Sequence, residues 1–156
     1  MRFSVCASME VSQLKSLGLV SCASKKRNCH CKASQMCSPS ALFRKAFNYA
    51  SRSYDAVAIL SGKYGLLLPD EEIDPYDRFL KSLPVKDVEN WADNVFSQMK
   101  KKLNLRDFDK IYFHAGKTYR QFLIPKLEEI GIKCEVPLKN LRIGEQLAWY
   151  KEQHAP

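Results

Sequence analysis

No apolar run in this 156-residue chain approaches the roughly 18 residues that a membrane-spanning helix needs, so a membrane protein of the helical kind is not expected. There is also no low-complexity tract, no internal repeat and no linker-like stretch. Those absences argue against disorder and against a solenoid, and they leave one domain by size. Residues 1–16 lack the pattern of a signal peptide, because Glu10 and Lys15 interrupt the weakly apolar stretch after Arg2 before an apolar core can form. The expected location is therefore the cytoplasm. That N-terminal segment reads as a tail or an added strand, and 17–156 as the folded domain.

The cysteines lack metal-site spacing. Cys22, Cys29, Cys31 and Cys37 follow C-x6-C-x-C-x5-C, with His30 among them. Structural zinc sites pair their ligands as CxxC or HxxxH, which lets both wrap one ion. No metal ligand set is therefore assigned, and the cluster stands as an alternative, a metal- or redox-dependent protein. Six cysteines in a cytoplasmic chain are not a disulfide framework by default either. The glycine-rich phosphate loop is also missing. Gly116-Lys117-Thr118 resembles its tail, but no upstream glycine stands at the required spacing. This excludes a nucleoside-triphosphatase, while a helix start with Lys117 and Arg120 beside it still suits a single anion. No cofactor is indicated.

What the chain does have is positive charge, +8 at pH 7, which favours polyanionic partners, DNA or RNA first. It also has alternating elements. Apolar strands are read at 17–22, 56–61, 109–114 and 132–136, with helices at about 40–53, 85–103, 118–130 and 143–153 and a short one near 76–82. Segments 23–37 and 66–76 read as irregular. Strand–helix alternation predicts an α/β three-layer domain with a mainly parallel sheet of about four strands.

In such sheets ligands bind outside the strand C-termini, and the unusual residues gather there. The first strand ends in Ser21-Cys22 and runs on to Lys26. The second ends in Ser61-Gly62-Lys63-Tyr64-Gly65, where glycine allows positive φ and close approach. The third ends in His114-Ala115-Gly116-Lys117, with Arg120 following. Cys22 is a candidate nucleophile, since nearby cations favour its thiolate, and His114 its candidate base. Ser61 and Tyr64 complete the candidate reacting groups, and Lys26, Lys63, Lys117 and Arg120 the candidate phosphate contacts. Gly65, Gly116, Asp74 and Tyr76 support them, the last two through the extended Asp74-Pro75-Tyr76 turn. The acids at 70–72 read as a solvated loop.

The run from Leu60 to Leu67, with Pro69 and Ile73-Asp74-Pro75-Tyr76, resembles the LSAKYGLLxPxxxIxPY pattern of a small bacterial and phage family of unknown function. Further blocks match it around Ser21–Lys26, Cys31–Met36, Ser40–Ala46 and Phe113–Arg120, so the resemblance covers residues 17–151. The same motif is similar to one in the YaaA peroxide-stress family, which implies DNA binding and protection from oxidative damage. Cys22-x3-Lys26 is similar to part of the PCxxxKPY block of archaeosine synthase, although Arg27-Asn28 stand here in place of Pro-Tyr. These resemblances imply nucleic-acid binding or nucleobase or nucleotide processing, with DNA, RNA or a nucleotide-like molecule as partner. The alternative is a non-catalytic nucleotide-binding stress or phage-defence module.

Overall fold

The structure is a computed structural model that describes residues 14–154. The reading of residues 1–16 as tail or added strand therefore lies largely outside the described residues. The first strand already begins at residue 15, two residues before the predicted start.

The main sheet contains β1 (Lys15–Ser21), β3 (Ala56–Ser61), β4 (Gly65–Leu67), β6 (Phe108–His114) and β7 (Lys133–Glu135). Its order is β4-β3-β1-β6-β7, with every neighbouring pair parallel except β3 and β4. A small second sheet pairs β2 (Cys31–Lys32) antiparallel with β5 (Glu72–Ile73). The helices are α1 (Ala33–Met36), α2 (Ala41–Ser53), α3 (Val85–Lys102), α4 (Lys117–Arg120), α5 (Leu123–Glu129) and α6 (Ile143–His154). No helix among the described residues is long and apolar enough to cross a membrane.

Side chains alternate across a strand, and the central strands are apolar on both faces because helices cover both. Leu17 and Leu19 of β1, Leu60 of β3 and Phe113 of β6 pack with Trp91, Val95 and Met99 of α3 and Leu123 of α5. On the other face Val20 and Ile59 meet Phe43, Ala46 and Ala50 of α2 and Tyr150 of α6. Ser40 caps α2 by accepting the Phe43 N–H at 3.2 Å. The chain leaves β1 for β3 on one side and returns past β1 to β6 on the other. The gap between the tips of β1 and β6 is therefore the topological switch point of the sheet.

The sheet has five strands where about four are predicted. The extra strand, β4, is three residues long and folds back from β3, too short for alternation to reveal it. Gly65 takes a φ of 80° there, the left-handed region that favours glycine. Gln98 of α3 pins this hairpin. Its Oε1 accepts the Leu66 N–H at 2.8 Å and its Nε2 donates to the Tyr64 carbonyl at 3.0 Å. Gln98→Ala leaves both backbone groups without these partners and is expected to cost about 2 kcal/mol in urea unfolding. An unchanged midpoint would show that the hairpin holds without Gln98.

Further readings are corrected. The predicted helix 118–130 is two helices, because Pro125 lacks an N–H and its ring crowds the carbonyl four residues back, at Gln121. Of the stretches predicted as irregular, 23–37 contains β2 and α1, and 66–76 contains most of β4 and all of β5; the short helix near 76–82 is a single 3-10 turn, Leu80–Ser82.

Candidate functional site

A cavity of about 830 Å3 opens at the switch point. Cys22, Ala23, Ser24 and Lys25 line it from the end of β1, and Gly116, Lys117, Tyr119 and Arg120 from the end of β6. Phe43 of α2, Leu138 and Asn140 after β7, and Gln146 and Tyr150 of α6 form its walls, with Phe79 and Lys81 reaching in from the segment before α3. Asn140 holds a φ of 72°, a backbone state that asparagine tolerates better than most side chains. At Gly116 an added Cβ would meet nothing within 4 Å, so the backbone of this turn is open. Lys25, Lys81, Lys117 and Arg120 bring four cationic side chains to the lining, and it contains no carboxylate. Arg120 is also structural, donating from Nη1 to the Ala115 carbonyl at 2.9 Å. Burial lowers its pKa, yet a guanidinium keeps its charge.

His114 is buried in the cavity wall. The Tyr54 hydroxyl lies 2.7 Å from its Nε2 and the Tyr150 hydroxyl 2.7 Å from its Nδ1. Burial lowers its pKa to about 4, so the ring is neutral at pH 7. A neutral imidazole accepts at one nitrogen and donates at the other, and both positions here are taken by phenols. The geometry therefore gives His114 a place in a hydrogen-bonded wall and no free lone pair with which to act as base toward Cys22. Tyr54 in turn stacks on Tyr112 with ring centroids 4.5 Å apart.

Cys22 is engaged elsewhere, with Cys37. The hydrogen bond with Cys37 raises the Cys22 pKa well above the usual thiol range, and burial adds to this. The same hydrogen bond lowers Cys37 to about 7, assisted against burial by the Ala23 N–H, 3.3 Å from its sulfur, and by the Lys26 charge. The pair is thus polarised, Cys22 favouring its protonated form and Cys37 its thiolate. Tyr76 closes the group. Its hydroxyl oxygen is buried without a partner at full hydrogen-bond geometry and faces Cys22 and Ser61, while burial raises its pKa. The Lys26 ammonium sits 4.5 Å above the Tyr76 ring and 5.4 Å from that of Phe79.

The remaining predicted site residues divide by location. Cys22, His114, Gly116, Lys117 and Arg120 line the cavity; Ser61, Lys63, Tyr64, Gly65, Asp74, Tyr76 and Lys26 do not. Ser61 is fully buried. Its hydroxyl accepts the N–H groups of Lys63 and Tyr64 at 3.3 and 3.0 Å, and its carbonyl accepts from Trp91 Nε1 at 2.8 Å. Tyr64 donates to the Asp74 carbonyl at 3.3 Å and meets Tyr76 edge-on at 5.4 Å, so it buttresses the Tyr76 ring. Lys63 is exposed, its ammonium 5.1 Å from the Tyr64 ring. Asp74 and Glu72 bracket His30 at 2.8 and 3.2 Å, and Asp74 foremost raises the His30 pKa. Glu71 pairs with Lys102 at the end of α3, so these acids hold the segment around β5 in place.

Among the described residues no three His, Cys, Asp or Glu side chains gather as a metal site. Cys29 is exposed, Cys31 lies in β2, and only Cys37 turns inward to Cys22. Sequence reasoning treated Cys37 as a poorly spaced ligand and so missed its contact with Cys22. Tyr54, Tyr119 and Tyr150 were also missed, because nothing in their local sequence separates a site residue from a packing residue. Lys25 could have been found, as it directly precedes Lys26 at the tip of β1.

No curated protein and no solved structure matches the chain. Residues 17–152 match the model of a family of unknown function, DUF6884, and the chain therefore belongs to that family.

Proposed function

We propose that this protein binds an anionic, base-bearing ligand, a nucleotide or a nucleobase in nucleic acid, in the cavity between β1 and β6 and processes it there. The observation that carries this reading is the lining itself, with four cations and no carboxylate. At about 830 Å3 the cavity falls within the range of small-molecule sites. Phe43, Phe79 and Tyr119 offer aromatic surface for a base, while Ser24, Asn140 and Gln146 offer polar groups to select its edge. A net charge of +8 would add salt-sensitive attraction for a nucleic-acid strand. The similarity of one motif to the YaaA family, with its implied DNA binding, points the same way.

Thermal-shift and calorimetric titration against nucleobases, nucleoside monophosphates and short oligonucleotides tests the reading. Nucleotides are expected to raise the melting temperature, and Lys25→Ala or Lys117→Ala each to weaken binding by about fivefold, roughly 1 kcal/mol for one exposed cation. Stabilisation without turnover would favour the binding-module alternative. No stabilisation by any nucleotide, together with no gel shift of DNA or RNA at low salt, would overturn the proposal.

A further inference from the structure

We propose that Cys22 and Cys37 form one two-thiol reactive centre in the cavity floor, in which Cys22 presents the attacking sulfur and Cys37, behind it, takes up the Cys22 proton. The natural substrate would be a cavity-bound molecule with an electrophilic carbon and a leaving group. For that identity the inference rests on the ligand reading above; the thiol chemistry stands apart from it.

The placement of the two residues differs in the way such a centre needs. Cys22 lines the cavity, whereas Cys37 is fully buried and does not reach it. The Cys37 sulfur lies against the residue that follows Cys22, 3.3 Å from the Ala23 amide nitrogen and 3.6 Å from the Ala23 carbonyl oxygen. Both charge states of Cys37 are thereby served. As thiolate it accepts the Ala23 N–H, and once protonated its S–H has the Ala23 carbonyl to donate to. The titratable groups facing the pair are Lys26, Cys31, Tyr76 and Tyr119. Lys26 lies where its charge favours a thiolate on either sulfur. The Tyr76 hydroxyl, facing Cys22 with no partner of its own, is placed to donate to the Cys22 sulfur as its proton departs.

In the step itself the S–C bond forms from Cys22, the bond from that carbon to the leaving group breaks, and the leaving group departs with the electron pair. The Cys22 proton ends on Cys37. No oxidant or metal is needed.

Iodoacetamide, from which iodide leaves, is the probe. Alkylation of each cysteine in the full chain is followed by peptide mass spectrometry from pH 6 to 10. Cys22 is expected to react ahead of Cys37, with its rate rising near pH 7. In Cys37→Ser the Cys22 rate at pH 7 is expected to fall about tenfold and its pH midpoint to rise, because serine is no proton acceptor in this range. The Cys134 rate serves as a folding control. An unchanged Cys22 rate and midpoint in Cys37→Ser, or preferential labelling of Cys37, would overturn the proposal.

Phenylarsine oxide, which bridges neighbouring thiols, gives a second test on the unaltered chain, independent of whether Cys37→Ser folds. One equivalent should protect Cys22 and Cys37 together, and failure to protect both would refute the pairing. If nucleotides leave Cys22 alkylation unaffected, the ligand reading of the cavity is weakened, while dependence of Cys22 on Cys37 would still support the thiol pair.

Discussion

Acidification from about pH 6.5 to about pH 4 is expected to remove about 3 kcal/mol of folding stability through His114 alone. The folded-state pKa is lowered by burial to about 4, against an ordinary value of 6.5. Above pH 6.5 the ring is neutral in both states and its contribution is complete. Between the two values the unfolded chain takes up a proton that the folded chain refuses, so stability falls with pH; below the folded pKa the contribution is gone. The loss is large because protonation would put a charge between two phenols in a buried wall and abolish the acceptor that one of them uses. Carboxylates titrate in the same range, so the measurement is a difference. Urea unfolding of wild type and His114→Gln is compared at several pH values, and the wild-type slope should be steeper by up to about 1.4 kcal/mol per pH unit. Parallel slopes would mean that His114 is not held neutral by its surroundings. His30 behaves in the opposite sense. Its pKa is raised, chiefly by Asp74, so what it contributes is present at low pH and fades as pH rises.

The three central strands were legible because their apolar runs, Leu17 to Val20, Ala56 to Leu60 and Ile111 to Phe113, are covered on both faces and so need no alternation to be recognised. The sequence also placed Cys22, His114, Gly116, Lys117 and Arg120 at strand tips, and these are the tips of β1 and β6, which flank the switch point. The tip of β3 was expected to join them and does not line the cavity. After Ser61 the chain turns into the antiparallel strand β4, and the Ser61 carbonyl is held by Trp91 of α3. A strand end that folds back into a hairpin becomes scaffold, and only pairing partners far along the chain reveal that outcome. The contact of Cys37 with Cys22 was hidden for a similar reason. Cys37 stands fourteen positions after Ala23, across a polar stretch whose short elements β2 and α1 leave no periodicity to read, yet a hydrogen bond joins the two. The most distinctive motif, Leu60 to Leu67, thus reaches the candidate chemistry indirectly, through Tyr64 and Tyr76 to the thiols.

Gly18→Ala is expected to destabilise the protein by about 3 kcal/mol, combining an overpacking cost with one lost hydrogen bond. For a domain of this size that is a fall in Tm of about 10 °C. Gly18 sits in the central strand, opposite Val57 on one side and Tyr112 on the other. A Cβ there would collide with the Tyr54 ring and come within 3.2 Å of the Ala50 Cβ. The ring has little room to yield. It is stacked on Tyr112 with planes 9° apart, and its hydroxyl is fixed 2.7 Å from His114 Nε2. Moving it would open the stack and leave a buried imidazole nitrogen without its partner, which converts a small steric change into the loss of a network. The mechanism is separable from a general intolerance of β1 by a double-mutant cycle. In a Tyr54→Ala background the ring is gone and the Ala50 Cβ at 3.2 Å need yield only slightly, so Gly18→Ala should then cost less than about 1 kcal/mol and the two changes couple strongly. Additive costs would show that Tyr54 is not the obstacle. Because His114 also lines the cavity, the same Gly18→Ala variant should weaken whatever ligand the cavity holds, although residue 18 does not line it.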